Sequence, residues 1–95
     1  MILRLVKMKF RSDKVEDFIV LFEARKARIQ QVDGCEEVKL WRSTSDTTIF
    51  FTQSIWRDEA CLEAYRNSSF FIETWTLTKA LFDSAPEAWS LVMQA

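Results

Sequence analysis

The sequence predicts an α+β fold in which a four-stranded antiparallel sheet carries its helices on one face, with elements in the order β-α-β-β-α-β. Three observations predict it. Apolar residues alternate along Ile2 to Phe10 and again along Ile49 to Ile55; they recur at helical spacing from Val15 to Val32; and a second helical stretch follows Trp56. A single Gly and a single Pro leave little of the 95 residues for linkers, and no internal repeat is visible. With 48% hydrophobic residues the chain can build one core, so residues 1–95 read as a single domain.

Each element has its own signal. From Ile2 to Phe10, Ile2, Val6, Met8 and Phe10 share one side of a strand with Arg4 as the exception, while Leu3 and Leu5 precede Lys7 and Lys9 on the other. Ser12 and Asp13 offer oxygens for a helix N-terminus, and Glu16 stands where a capping box needs it. Val15, Phe18, Ile19, Phe22, Ile29 and Val32 then form an apolar stripe on a helix expected to end near Gly34. Strands over Glu36 to Ser43 and Thr47 to Ile55 flank the short polar connector Thr44-Ser45-Asp46, which argues for a hairpin. Asp58 can cap the next helix, on which Ala60, Cys61, Ala64 and Tyr65 share a face. The helix breaks around Asn67 to Ser69 and restarts under a Ser68 or Ser69 cap, with Phe71, Trp75, Thr78 and Phe82 turned inward. Pro86 precedes a last strand, Ala88 to Met93. Together these elements give the ferredoxin-like, split βαβ order.

Composition narrows the chemistry. The chain has no histidine, and so lacks the commonest proton carrier near neutral pH and the commonest metal ligand. Glu59 with Glu63 and Glu36 with Glu37 are paired carboxylates that read as solvated surface, so no metal site is expected. Net charge is −1, with eight of the 13 basic residues in positions 1–30. That balance argues against nucleic acid, as does a third strand without the basic and glycine residues of RNA-recognition domains, although Phe50 and Phe51 lie on it. Cys35 and Cys61 lack CxxC spacing, Arg4 and Lys7 interrupt any apolar leader, and no run of about eighteen apolar residues exists. The expectation is a cytoplasmic protein, without a membrane segment, whose cysteines act as small buried hydrophobes.

Two features point toward function. The segment Tyr65-Arg66-Asn67-Ser68-Ser69-Phe70-Phe71 sets a polar break between helices lined by Trp, Tyr and Phe, an arrangement that can enclose an apolar pocket for a small molecule. The strands also offer apolar groups on both sides, with Ile49, Phe51 and Ile55 against Phe50 and Trp56, and Val38 and Leu40 against Trp41. A monomer would expose a broad hydrophobic face, so a homodimer joined sheet to sheet is expected, with Trp41 and Trp89 as interface candidates and Phe50 or Phe51 sensitive to an added charge.

The strand Ile49 to Ile55, Trp56 at its end, Asp58-Glu59-Ala60, Leu62-Glu63-Ala64-Tyr65, and Ser68 followed by Phe71 resemble the antibiotic biosynthesis monooxygenase domain family. The resemblance covers essentially the whole chain. It implies a dimeric α+β barrel and, by analogy with well-studied members, oxygenation of a quinol or phenol by molecular oxygen without metal, flavin or haem. Relatives cleave haem or isomerise signalling molecules, so fold transfers more safely than reaction. The chain departs from the family pattern where histidines often stand, at Tyr65 and Phe70, and where a Glu often precedes the Trp, at Ser54; haem cleavage would need a histidine ligand. Tyr65, Arg66 and Asn67 are the candidate catalytic residues, for hydrogen bonding to a substrate oxygen, stabilising an anion and orienting a carbonyl or peroxide. Trp56, Ser68, Phe71 and Trp75 are the candidate substrate-binding residues, with Trp75 equally suited to core packing. The alternative is a binding protein or orphan member that has lost its proton-transfer groups.

Overall fold

A computed structural model describes residues 1–95. The elements are β1 (Ile2–Lys9), α1 (Val15–Gln30), β2 (Cys35–Arg42), β3 (Ile49–Trp56), α2 (Glu59–Arg66), α3 (Ser69–Lys79) and β4 (Glu87–Leu91), with a 3-10 turn at Ser12–Lys14 leading into α1. The four strands form one sheet in the order β2-β3-β1-β4, each neighbouring pair antiparallel. This is the ferredoxin-like arrangement, with α2 and α3 together standing for its second helix.

Strand alternation divides the sheet into two unlike faces. On the inner face, Val38, Ser54, Arg4 and Ser90 lie side by side across the four strands, and Leu40, Thr52, Val6 and Ala88 form the next row. The outer face carries Ile55, Leu3 and Leu91 in one row, Gln53, Leu5 and Trp89 in another, and Trp41, Phe51 and Lys7 in a third. No helix covers these outer rows, and Trp41 is 51% exposed. The alternation separates neighbours: Phe51 faces outward, whereas Phe50 is a core residue at 2% exposure. Its expected place in a subunit interface is therefore corrected.

The core lies between sheet and helices. Phe10 stacks on Phe18 at 4.0 Å between ring centroids and meets Phe50 edge-on at 5.8 Å. Met8, Val15, Phe22, Ile29 and Val38 complete the cluster. Of the predicted stripe, Val15, Phe18, Phe22 and Ile29 are buried and Ile19 packs against this core, while Val32 lies beyond the end of α1 and is only half-buried. Phe70, which the sequence reading left off the inner face of α3, also belongs to it, with the Arg28 guanidinium 4.2 Å above its ring.

Element ends differ from expectation for local reasons. No capping box forms at Asp13 and Glu16, because Ser12–Lys14 winds as a 3-10 turn and neither it nor α1 has a side-chain cap. Helix α1 stops at Gln30, where the Gln31 and Val32 N–H groups turn back to the carbonyls of Arg28 and Ile29. Gly34 instead shapes the entry into β2, at φ +83. The hairpin connector spans 43–48: Ser43 Oγ accepts from Asp46 N, and Asp46 Oδ1 accepts from Thr48 N and Oγ1, which lowers the Asp46 carboxyl below its ordinary value. On α2 the buried residue is Leu62, while Ala60 and Ala64 are exposed. Strand β4 covers Glu87–Leu91 rather than Ala88 to Met93, since Leu91 already pairs with Leu3 near the start of β1.

Gly34 gives the sharpest test of this packing. A Cβ there would stand 2.5 Å from Cys61 Cβ and Sγ, in a backbone conformation that side chains disfavour. Gly34→Ala is expected to lower stability by about 2 kcal/mol or more, read as a fall in the urea midpoint; an unchanged midpoint would contradict the Gly34–Cys61 contact.

Candidate functional site

Against the phenylalanine core, whose Met8, Phe18, Phe22, Ile29 and Val38 also face it, the sheet and helices enclose a cavity of about 420 Å³. Its floor is the inner sheet face at Arg4, Val6, Thr52, Ser54 and Ala88. Trp56 and Leu62 close one end, and Tyr65, Phe71, Thr74, Trp75 and Thr78 line the helical side. Twelve of the 19 lining residues are hydrophobic, which suits a small ring system better than a hydrated polar ligand.

The break between α2 and α3 builds the helical side. Asn67 ends α2, its N–H donating to the Glu63 carbonyl. The Ser68 hydroxyl donates to the Tyr65 carbonyl at 2.6 Å and accepts from Phe71 N at 3.1 Å, joining the last turn of one helix to the first turn of the next. This turn places Tyr65 and Phe71 edge to face at 5.0 Å. Phe71 stacks with Trp75 at 6.0 Å, and Tyr65 stacks on Trp56 at 4.9 Å. Trp56 is fully buried, and its indole N–H donates to Ser54 Oγ at 2.9 Å, so this ring is both wall and core.

Of the residues expected at a site, Trp56, Tyr65, Arg66, Phe71 and Trp75 line the cavity. Asn67 and Ser68 do not: Asn67 only ends α2 through its backbone, and Ser68 links α2 to α3 through its hydroxyl. The sequence reading missed Arg4, Thr52, Ser54, Leu62 and Thr74. A signal existed for the first three, because each interrupts an otherwise apolar inward row with a polar side chain.

The electrostatics restrict what the site can do. Burial pushes the Tyr65 phenol up to about 12, with a small further push from Cys35, so it stays protonated near neutral pH and offers a hydrogen-bond donor. Its hydroxyl has no partner in the protein yet is not sealed from solvent. Burial also lowers the Arg4 guanidinium, and repulsion from Arg66 adds to the effect. Arg66 pairs with Glu63 at 3.0 Å. The lining contains no Asp or Glu. Elsewhere, no three Cys, Asp or Glu side chains gather closely enough to hold a metal ion. Cys35 and Cys61 are free and half-buried rather than fully buried; burial raises the Cys35 thiol, and hydrogen bonding to Asp58 raises Cys61.

A ferredoxin-like α+β sheet with an aromatic cavity under a broken helix defines the class of protein. The family model for antibiotic biosynthesis monooxygenase matches residues 1–75, and the chain belongs to that family. Solved structures share the fold across nearly their whole length. A conserved protein from Methanosarcina mazei Go1 is 21% identical, with a TM-score of 0.92 over 99% of this chain and 94% of its own. A structure described as an antibiotic biosynthesis monooxygenase is 15% identical, with a TM-score of 0.92 over 100% of both chains. SnoaB, a cofactor-independent oxygenase from Streptomyces nogalater, is 14% identical in a mutant form, with a TM-score of 0.88 over 99% of this chain and 93% of its own. No curated protein sequence matches the chain. No helix is long and apolar enough to cross a membrane.

Tyr65 is the only tyrosine, so its ionisation can be read directly by ultraviolet absorbance. The phenolate is expected to appear only around pH 12 in the folded protein, against about 10 once unfolded. Between those values the folded state holds the extra proton, so stability falls as pH rises through the window, by about 2–3 kcal/mol in all. A native midpoint near 10 would show that the ring is not held in the buried stack.

Proposed function

We propose that this chain is a cofactor-independent monooxygenase of a small aromatic quinol or phenol, working as a homodimer in the cytoplasm. The observation that carries the reading is the apolar cavity whose helical side is an unbroken run of contacting rings, Tyr65, Phe71 and Trp75, set against Trp56. Such a cavity holds a flat, electron-rich molecule away from water, and in this chemistry the substrate itself supplies the electrons.

The reaction then runs on few protein groups. An ionised substrate of the anthrone type bonds through carbon to molecular oxygen, giving a hydroperoxide once a proton is taken up. Breakage of its O–O bond with loss of the carbon-bound proton leaves a carbonyl and one water. The Tyr65 hydroxyl donates to the substrate oxygen, Arg66 at the rim favours its anionic form, and the aromatic walls fix the ring plane. Ser68 contributes by holding α2 against α3.

A second reading, a non-catalytic binding protein of the same family, draws on one specific observation. The lining holds no carboxylate or imidazole that could serve as a general base, and the Tyr65 phenol stays protonated near neutral pH. The oxygenase reading therefore requires a substrate that ionises in the site without a protein base. Oxygen uptake by metal-stripped protein with anthrones and naphthohydroquinones, corrected for autoxidation, separates the two. Saturable uptake supports the oxygenase. Quenching of tryptophan fluorescence by the same compounds with no uptake supports the binder. If the oxygenase operates, Tyr65→Phe lowers turnover by about tenfold or more while leaving assembly intact; unchanged rates would remove Tyr65 from the mechanism.

The homodimer reading is supported by the uncovered outer sheet face, which carries Leu3, Leu5, Phe51, Trp89 and Leu91 among Gln53 and Lys7. A second copy packed sheet to sheet would bury it. Phe51→Asp is expected to give a folded monomer by sedimentation, whereas Phe50→Asp unfolds the subunit itself because that ring lies among Phe10 and Phe18. A Phe51→Asp protein that stays dimeric would place the interface elsewhere.

A further inference from the structure

We propose that Arg4, with Arg66 beside it, is an anchor for a carboxylate, so that the cavity takes an aromatic monoanion whose ring lies against the Tyr65–Phe71–Trp75 wall. The inference rests on the cavity being a ligand site, and does not depend on oxygenation.

The argument begins with what surrounds Arg4. It stands on the inner face of β1, half-buried, between Ser54 of β3 and Ser90 of β4 in the same row. Its Nη1 donates to Ser90 Oγ at 3.1 Å, and it takes part in no ion pair. Arg25, also half-buried, has Glu73 as its acidic partner. Ser54 cannot supply the missing charge, and its oxygen already accepts from the Trp56 indole. A guanidinium carries five donors in a planar fork, so most of the Arg4 donors remain available.

Arg66 lines the same cavity from the end of α2. The acid nearest this pair in charge is Glu63, and it is held by Arg66 at the exposed rim. Two guanidiniums against one carboxylate leave a single net positive charge facing a largely apolar space. A partly buried cation without a counter-ion is costly, and that cost becomes binding energy when a ligand brings the counter-charge. One net charge fits a monoanion, and the planar fork fits a carboxylate in a two-point contact.

The test uses a matched pair of probes, 2-naphthoate and its neutral isostere 2-naphthamide, followed by quenching of tryptophan fluorescence without oxygen. Naphthoate is expected to bind about tenfold or more tightly than the amide, and the preference should shrink as salt is added. In Arg4→Met the preference falls to near parity with the amide affinity unchanged, and Arg4→Lys keeps part of it, since a lysine retains charge without the fork. Arg66→Gln, at the exposed rim, reduces the preference by a smaller factor and supplies the test if Arg4→Met does not fold. Equal binding of the two probes by the unmodified protein, or a preference that survives in both Arg4→Met and Arg66→Gln, would overturn the anchor. Failure of both probes to bind would overturn the anchor together with the cavity reading. Oxygen uptake plays no part in this assay, so a protein that never oxygenates anything can still pass it.

Discussion

Phe10 is the residue on which the arrangement turns. At the end of β1 it stacks on Phe18 of α1, meets Phe50 of β3 and touches Phe82 beyond α3, so one ring ties a helix, two strands and the chain after the second helical segment together. Removing a buried ring of this kind typically costs about 3–5 kcal/mol. Phe18 and Phe22 of this cluster, with Met8, Ile29 and Val38, also line the cavity, whose remaining helical wall is Tyr65, Phe71 and Trp75. Core and cavity share a wall.

The walls of that cavity are continuous with the core. From Phe10 the ring contacts run through Phe82 at 5.3 Å, Trp75 at 5.6 Å, Phe71, Tyr65 and finally Trp56. What bends this chain around a space is the Ser68 hydroxyl, which ties the end of α2 to the start of α3. An unbroken helix would carry Tyr65 and Phe71 on diverging faces, because residues six apart do not stack along a helix. A polar residue outside the cavity thereby decides its shape, and this is why Ser68 is a positioning residue instead of a contact.

Family membership and the site make separate claims. Structures only 14–21% identical share this fold at TM-scores of 0.88–0.92, as expected of a scaffold held by patterned burial more than by particular side chains. The lining carries two guanidiniums and a phenol that stays protonated, with no histidine and no acid. Such a lining offers positive charge and hydrogen-bond donors but no group to remove a proton. That constraint governs any reaction the chain performs, and it equally suits a protein that only binds.

Much was legible in the sequence because it depends on short-range rules. Alternation and helical spacing depend on the pleat and the 3.6-residue turn, so the order of elements, most of the inward stripe of α1, the Asp58 cap, a serine cap at Ser68 or Ser69 and the aromatic helical wall could all be read from one chain. Local geometry went astray where tertiary contact overrode propensity, as at the absent capping box before α1 and at Leu62 and Phe70, whose burial depends on how α2 and α3 tilt. The sequence by itself determined which residues alternate and which helices are amphipathic. Only the tertiary structure decided that Phe50 is core while Phe51 faces outward, and that Arg4, 62 residues from Arg66 in the chain, shares a cavity with it. The physical reason is register: which side of a strand is buried, and which distant side chains meet, are fixed by pairing and packing between elements, and no periodicity within one element carries that information.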